Sequence, residues 1–201
     1  MKLYYAAGAC SLAPHIALSE AGIAAKTVPV DLKTHKLPDG SDYTAVNPKG
    51  YVPLLELDDG TKLTEVAVLL QVIADKKPGT LAPAAGTMER YKLMEWLNFI
   101  ATEIHKGFSP LWAPDTPELT KQRAVAAIKR RLGTVDAQLA KTPYLAGSGF
   151  TIADAYLFTI VNWTNFIGLD VSEFKHLAAY MKRVAERPAV HAAMKAEGLV
   201  K

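Results

Sequence analysis

Every strand signal in this 201-residue chain lies within its first eighty residues. Short apolar or alternating segments are separated there by turn residues and by two segments with helical periodicity. Asp58-Asp59-Gly60 is typical of the turn of a hairpin. The predicted order is β-α-β, a polar loop, then β-β-α, which makes a small sheet with helices packed on it. The predicted strands are 2–5, 27–30, 53–57 and 62–64, and the predicted helices are 11–22 and 65–76.

The strand pattern stops at a linker of Pro and Gly composition at 79–86, which follows a first domain of residues 1–78. Apolar residues at helical spacing predict an all-helical domain over 87–201. Its sharpest start signal is Thr151, three residues before Asp154, the spacing of a capping box. The fold class is therefore an α/β domain followed by an all-α domain. The predicted helices are 87–108, ended by Pro110, then 118–141, 151–168, 172–186 and 188–197.

Composition excludes several classes of protein. With 23 basic and 20 acidic residues the formal charge is +3, too small to indicate nucleic-acid binding. No apolar run approaches the ~20 residues that span a bilayer. One cysteine forms no internal disulfide, and the five histidines are scattered, so no metal site is expected. These features predict a cytoplasmic protein without a metal, a nucleic-acid partner or a membrane.

The single cysteine, Cys10, lies where the first strand turns into the first helix, followed by Ser11. Free N–H groups and the positive dipole end of a helix favour a thiolate there, and the thiolate is the nucleophilic form. A lone cysteine is more often a small buried hydrophobe. Both interpretations remain open on this residue alone.

Six motifs, taken in order along the whole chain, resemble those of the cytosolic glutathione transferases, and a cysteine at position 10 is similar to their bacterial beta class. This resemblance implies a thioredoxin-like first domain that holds most of a glutathione site, with glutathione as co-substrate and no metal. It also implies a homodimer. The motifs are Gly-Ala-Cys-Ser at 8–11, Asn-Pro-Lys-Gly-Tyr-Val-Pro at 47–53, Leu-Thr-Glu at 63–65, Glu-Trp-Leu-Asn at 95–98, Glu-Ile-His-Lys at 103–106 and Phe-Thr-Ile-Ala-Asp at 150–154.

By this resemblance, Val52-Pro53 is a cis-proline position, at which the Val52 N–H and C=O pair with the cysteinyl part of glutathione like an added strand. An edge-strand proline is the alternative. The Val66 N–H at a helix start binds the γ-glutamyl carboxylate, and Glu65 accepts from the α-ammonium group. Glu65 also suits a first helical turn by charge alone. Val66 departs from the family's small or hydroxyl residue, which predicts weaker binding of that carboxylate.

His35 occupies a loop position where relatives usually carry a lysine that faces the glycyl carboxylate. A neutral histidine can donate one hydrogen bond there, and Lys36 can supply the charge instead. A solvated loop residue is the alternative.

Asn98 and His105 are seven residues apart on the predicted long helix, so we expect them to share a face. By resemblance, His105 and Lys106 approach the sulfur and its substrate, while Asn98 and Glu103 reach the glutathione of the neighbouring subunit. A structural histidine is the alternative. Four aromatic residues are candidates to line an electrophile pocket, or are plain core: Phe108, Trp112, Tyr156 and Trp163.

The hypothesis is that Ser11, His105 and the helix N-terminus lower the pKa of the glutathione thiol, whose thiolate attacks an electrophilic, mostly apolar substrate. Cys10 then either donates a hydrogen bond to that sulfur or forms a mixed disulfide with it. The disulfide would make the protein a thiol-disulfide exchanger that only free glutathione can release. A binding protein that sequesters apolar ligands without catalysis is the other alternative.

Overall fold

The computed structural model describes residues 1–201. Its N-terminal part contains a four-stranded sheet in the order β2-β1-β3-β4, in which β1 pairs in parallel with β2 and antiparallel with β3. The predicted βαβ-ββα unit is confirmed. The elements are β1 (Lys2–Tyr5), α1 (Leu12–Ala21), β2 (Lys26–Pro29), β3 (Leu54–Glu56), β4 (Lys62–Leu63) and α2 (Val66–Lys76).

Strand alternation divides β1 between two apolar clusters. Leu3 pairs with Leu55 in register, and both are fully buried in the main core beside the helices. The next residue, Tyr4, points to the opposite face and joins a smaller cluster with Tyr43 and Val52. Because of this second cluster, the loop that carries Val52 is fixed against the sheet.

The C-terminal part is entirely helical, as predicted, and no helix or strand occupies the segment between α2 and α3 that contains the predicted linker. No helix combines the length and the apolar character needed to cross a membrane. The helices are α3 (Met88–Phe99), α4 (Ser109–Trp112), α5 (Glu118–Leu139), α6 (Ile152–Ile167), α7 (Lys175–Ala185) and α8 (Pro188–Ala196).

The predicted continuous helix over 87–108 is wrong in its second half. The α-helix ends at Phe99, a π-helical turn covers Ile100–His105, and a 3₁₀ turn covers Lys106–Phe108. Pro110 does not end the helical path either, since it lies in the first turn of α4, where its missing N–H is not needed. The wider π turn breaks the α-helical spacing on which the expectation of a shared face for Asn98 and His105 was based.

Helix α6 is buried along most of its length and packs against α1, α2 and α3. The predicted capping box at its start is confirmed, with the Thr151 N–H donating to Asp154 Oδ2 at 2.8 Å. Asp154 is fully buried and also accepts from the Leu145 N–H at 3.0 Å. The helices of both parts thus share one core, and the segment before α1 lies at their junction.

Candidate active site

The turn between β1 and α1 is held by the C-terminal helices. Gly8, at φ +71°, donates its N–H to Glu197 Oε2 at 3.0 Å and accepts at its C=O from Trp163 Nε1 at 2.8 Å. A Cβ on Gly8 would lie 3.2 Å from the Phe166 ring, so both the backbone conformation and the space require glycine. The position of the next residues, including Cys10, therefore depends on the second domain.

Cys10 is half-buried, with its Sγ 3.5 Å from the Val52 carbonyl oxygen. Burial raises the pKa of this thiol to about 12, although the N–H groups of Cys10 and Ser11 and the charge of Lys106 act in the opposite direction. The expectation of a thiolate at the helix N-terminus is therefore wrong for the free protein, because desolvation outweighs the helix end. At neutral pH, Cys10 is a thiol that can donate a hydrogen bond.

Ser11 does not offer its hydroxyl to the site. The side chain is fully buried, accepts from the Ala6 N–H at 3.1 Å and donates to the Ala6 C=O at 3.1 Å. Since the hydroxyl closes the turn after β1, the predicted role of Ser11 as a donor does not come from its side chain and stays a prediction. Only its backbone N–H acts on the Cys10 sulfur.

The Val52-Pro53 peptide bond is cis, as predicted. Val52 is buried, and its C=O accepts the weak hydrogen bond from Cys10. The Val52 N–H has no acceptor within the protein. The Val52 N–H is thus available to a ligand beside Cys10, whereas the Val52 C=O already accepts from the Cys10 thiol.

Glu65 precedes α2 in a left-handed backbone conformation, at φ +70°, which is uncommon for a residue with a side chain. Such outliers cost about 1–3 kcal/mol and cluster at functional sites. Its carboxylate accepts from Tyr51 Oη at 2.6 Å and from Lys49 Nζ at 3.2 Å. The Tyr51 hydrogen bond holds the pKa of Glu65 below its usual value against desolvation. Beside this ionised group, the N–H groups of Val66 and Ala67 have no acceptor in the protein.

Lys49 and Tyr51 received no individual role from the sequence, although both lie in the motif at 47–53. Lys49 also donates to Thr64 Oγ1 at 2.8 Å. Their place in that motif was the available signal, and in the structure both side chains reach Glu65 across the turn at Gly50. They make the start of α2 a charged, hydrogen-bonded rim.

His35 lies in the same region but faces the protein. Its backbone is left-handed at φ +53°, and a Cβ added at Gly50 would lie 3.1 Å from its ring. The ring atom Nδ1 is buried without a hydrogen-bond partner. The ring thus supports the loop that leads to Val52, and its role toward a carboxylate stays a prediction.

His105 closes the π turn and is half-buried, with Nδ1 2.8 Å from Tyr156 Oη and its ring edge-on to Trp163 at 4.9 Å. Burial lowers the pKa of His105 to about 4, with a further lowering from the charge of Lys106. The imidazole is therefore uncharged at neutral pH. The exposed Lys106 also acts on the pKa values of Cys10 and Glu65, so these groups lie near one another, and the region between Cys10, Glu65 and His105 is the candidate cleft.

Asn98 and Glu103 are not brought to this cleft within one subunit. Asn98 is exposed, and its C=O accepts from Thr102. Glu103 pairs with Arg131 of α5 at 2.5 Å. Their predicted role toward the glutathione of a neighbouring subunit stays a prediction.

The aromatic candidates fall into two groups around Trp163. Phe108 and Tyr156 are buried, whereas Trp112, whose ring lies 5.6 Å from that of Trp163, is 46% exposed. Phe166 lies on the same helical face as Trp163 and is 51% exposed. It was not among the predicted aromatic residues, although its i+3 spacing from Trp163 indicated a shared face. An exposed apolar wall therefore lies beside the turn at Gly8.

Comparison with known families explains this arrangement. Residues 7–76 match the family model described as "Glutathione S-transferase, N-terminal domain", and residues 99–188 match "Glutathione S-transferase, C-terminal domain". Together these matches cover most of the chain.

Individual relatives agree over the full length. The chain is 51% identical over 201 residues to glutathione S-transferase GstA of Escherichia coli O157:H7, covering 99% of this chain and 100% of the relative. The solved glutathione S-transferase of a sphingomonad, complexed with glutathione, has 46% identity and a TM-score of 0.95, with 100% of both chains covered. The beta-class enzyme of Sphingomonas chungbukensis has 49% identity and a TM-score of 0.95, again with 100% of both chains covered.

The chain therefore belongs to the glutathione S-transferase family, in the bacterial beta class. It is an enzyme that uses glutathione as its co-substrate.

Proposed function

We propose that this glutathione S-transferase binds glutathione across the cleft between Cys10, Glu65 and His105 and transfers its sulfur to small, mostly apolar electrophiles. The observation that carries the proposal is the set of donors around one cleft. The Cys10 thiol and a neutral His105 lie there with the cation Lys106 and the free N–H of Val52. A tripeptide thiolate needs such a set of donors.

The two ends of glutathione find different partners. The free N–H groups of Val66 and Ala67 at the start of α2 receive the γ-glutamyl carboxylate, and the ionised Glu65 accepts from the α-ammonium group. Lys49, 3.2 Å from Glu65, adds a positive charge that compensates for the missing hydroxyl at Val66. The glycyl carboxylate lies toward His35 and Lys36.

The central part of the tripeptide pairs with the Val52 N–H beside Pro53, as an added strand does. This places the glutathione sulfur near Cys10 and His105. The S–H bond ionises and its proton passes to solvent, because donors toward the sulfur stabilise the anion. The sulfur lone pair then forms the S–C bond with the electrophile, and the leaving group departs with its electron pair.

The electrophile lies against the exposed rings of Trp112 and Phe166, on either side of the buried Trp163. This wall carries few polar groups, which supports a substrate class defined by apolar character. A substrate class defined only by apolar character supports a role in detoxification.

We also propose a homodimer and a cytoplasmic location. Exposed apolar residues on one side of α3, with Val68 of α2, support a self-association surface. A reduced thiol co-substrate supports a reducing compartment. In this dimer Asn98 and Glu103 approach the partner's glutathione. The exposed residues are Val68, Met88, Tyr91 and Met94.

Thiol-disulfide exchange through Cys10 is the weaker alternative. The Cys10 pKa of about 12 leaves little thiolate at neutral pH, and the thiolate is the form that attacks a disulfide. No observation favours sequestration without catalysis.

The test is the rate of conjugation of glutathione to an activated chloroaromatic, for the wild type and for His105→Ala. We expect a glutathione-saturable rate that falls at least ~10-fold in the variant, because a donor toward a developing anion is lost. The matched control is His176→Ala, which removes an exposed histidine of α7 and should leave the rate unchanged. A wild-type rate no higher than the uncatalysed reaction, or an unchanged rate in His105→Ala, would refute the proposal.

A further inference from the structure

The hydrogen bond between Tyr156 and His105 has only one arrangement that satisfies both groups. Tyr156, on α6, is 2% exposed, and its Oη has His105 Nδ1, at 2.8 Å, as its sole partner in the protein. Burial raises the pKa of Tyr156 far above its ordinary value, so the phenol keeps its proton. A buried hydroxyl proton without an acceptor is costly, and native structures rarely leave one so.

The neutral imidazole has one donor nitrogen and one acceptor nitrogen. If His105 donated from Nδ1 to the phenol oxygen, the Tyr156 proton would have no acceptor. If Tyr156 donates to Nδ1, both groups are satisfied and the histidine proton resides on Nε2. The burial of the tyrosine therefore determines the tautomer of the histidine.

The Nε2 atom faces open space. It has no hydrogen-bond partner in the protein, and it is not among the buried polar atoms that lack one. The charged groups that act on His105 are Lys106 and Glu65, both of which border the glutathione cleft. Nε2 is thus the ring nitrogen that remains accessible to a ligand.

We propose that Tyr156 is a positioning residue, which donates to Nδ1 and so holds His105 in the Nε2–H tautomer. His105 then presents a hydrogen-bond donor to the glutathione sulfur and cannot accept the thiol proton at that nitrogen. The identity of the sulfur as recipient rests on the proposed function, whereas the tautomer itself does not.

The first test reads the tautomer in the free protein. In protein labelled with ¹⁵N-histidine, long-range ¹H–¹⁵N correlation spectra at neutral pH separate a protonated ring nitrogen from an unprotonated one. The His105 signals are assigned by their absence in His105→Gln. We expect an unprotonated Nδ1 in the wild type, and a wild-type spectrum with a proton on Nδ1 would overturn the proposal without any variant at Tyr156.

Removal of the Tyr156 hydroxyl tests whether this group sets the tautomer of His105. Tyr156→Phe should show a mixture of the two tautomers, because nothing then selects between them. The matched control is Tyr144→Phe, which deletes the hydroxyl that faces Arg187, away from His105, and should leave the His105 signals unchanged. A pure Nε2–H tautomer in Tyr156→Phe would overturn the positioning role.

Conjugation rates then test the donor role. Tyr156→Phe should lower the rate about two- to tenfold, the usual size of one neutral hydrogen bond. His105→Gln, whose amide donates but cannot act as a base, should keep a rate at least ~3-fold above His105→Ala. Equal rates in these two variants would contradict the donor role. An absence of all conjugation would refute the proposed function and leave the spectroscopic result standing.

Discussion

The two sides of the glutathione cleft treat charge in opposite ways. On the rim at the start of α2, formed by Lys49, Tyr51 and Glu65, the ion-pair side chains are 51% and 60% exposed. Glu65 remains ionised there because partners stabilise its charge. On the opposite side, His105 packs beside Tyr156 and loses its charge to desolvation.

This difference teaches how one cleft serves two tasks. A zwitterionic ligand end is recognised by groups that keep their charge in water. A sulfur anion next to an apolar electrophile is stabilised by donors held in a drier environment, where hydrogen bonds are electrostatically stronger. The charged rim of Lys49 and Glu65 belongs to the first domain, whereas the desolvated pair of His105 and Tyr156 belongs to the second.

The largest effect that separates the two sides is expected at Glu65. Glu65→Gln keeps an acceptor for Tyr51 but removes the negative charge for the ammonium group. A hydrogen bond to a charged group contributes about 1.5–3 kcal/mol, so the Kd for glutathione should rise about 10- to 100-fold. Isothermal titration calorimetry measures this change. The control is Glu186→Gln, which lies at the end of α7 and is exposed, and a change below ~2-fold in Glu65→Gln would contradict the comparison.

The second effect concerns the pH dependence of stability. His105 takes up a proton only near pH 4 in the folded protein, whereas an ordinary histidine does so near 6.5. Between these values the unfolded chain binds more protons, so the free energy of unfolding decreases as pH falls through this window. Residue 105 does not titrate in His105→Gln. The free energy of unfolding of this variant should therefore fall about 1–2 kcal/mol less than that of the wild type. This difference is reduced because the His105 ring is only half-buried.

Urea unfolding near neutral pH and near pH 4.5, at one protein concentration, measures this difference. His176→Gln serves as the control, because that histidine is exposed on α7. Parallel losses of stability in the wild type and in His105→Gln would show that His105 is not desolvated.

The smallest effect is expected at Lys49. Its ion pair with Glu65 is exposed, and such pairs contribute about 0.2–1 kcal/mol. Lys49→Ala should therefore raise the Kd for glutathione no more than ~5-fold, and added salt should reduce the difference from the wild type. Lys175→Ala, another exposed lysine, is the control. A salt-independent loss would contradict the assignment of Lys49 to the exposed rim.

Local signals explain how much of the fold was predictable. The capping box at Thr151 and the hairpin at Asp58-Asp59-Gly60 are each set by a few adjacent residues, and both were placed correctly. The π turn at Ile100–His105 was not predicted, because apolar spacing does not distinguish a wider helical turn from an α-helix. Because the π turn was not predicted, the position of His105 relative to Asn98 was not predictable either.

The identity of the site residues was more predictable from the sequence than their protonation states. The cis peptide at Pro53 and the position of Glu65 before α2 followed from the motifs. The state of Cys10 did not, since its pKa depends on burial among segments distant in sequence. The bonds of the Ser11 hydroxyl were not predictable for a similar reason, because they are made to the backbone of Ala6 on the other side of the turn.

The two hydrogen bonds that hold Gly8 have a consequence for the order in which the chain is made. The ribosome supplies Gly8 more than 150 residues before Trp163 and more than 180 residues before Glu197. A growing chain that has released only its first eighty residues lacks both anchors of the turn before Cys10. The turn before Cys10 is therefore completed only after Glu197 has been made, and a product truncated before Glu197 lacks one of its two anchors.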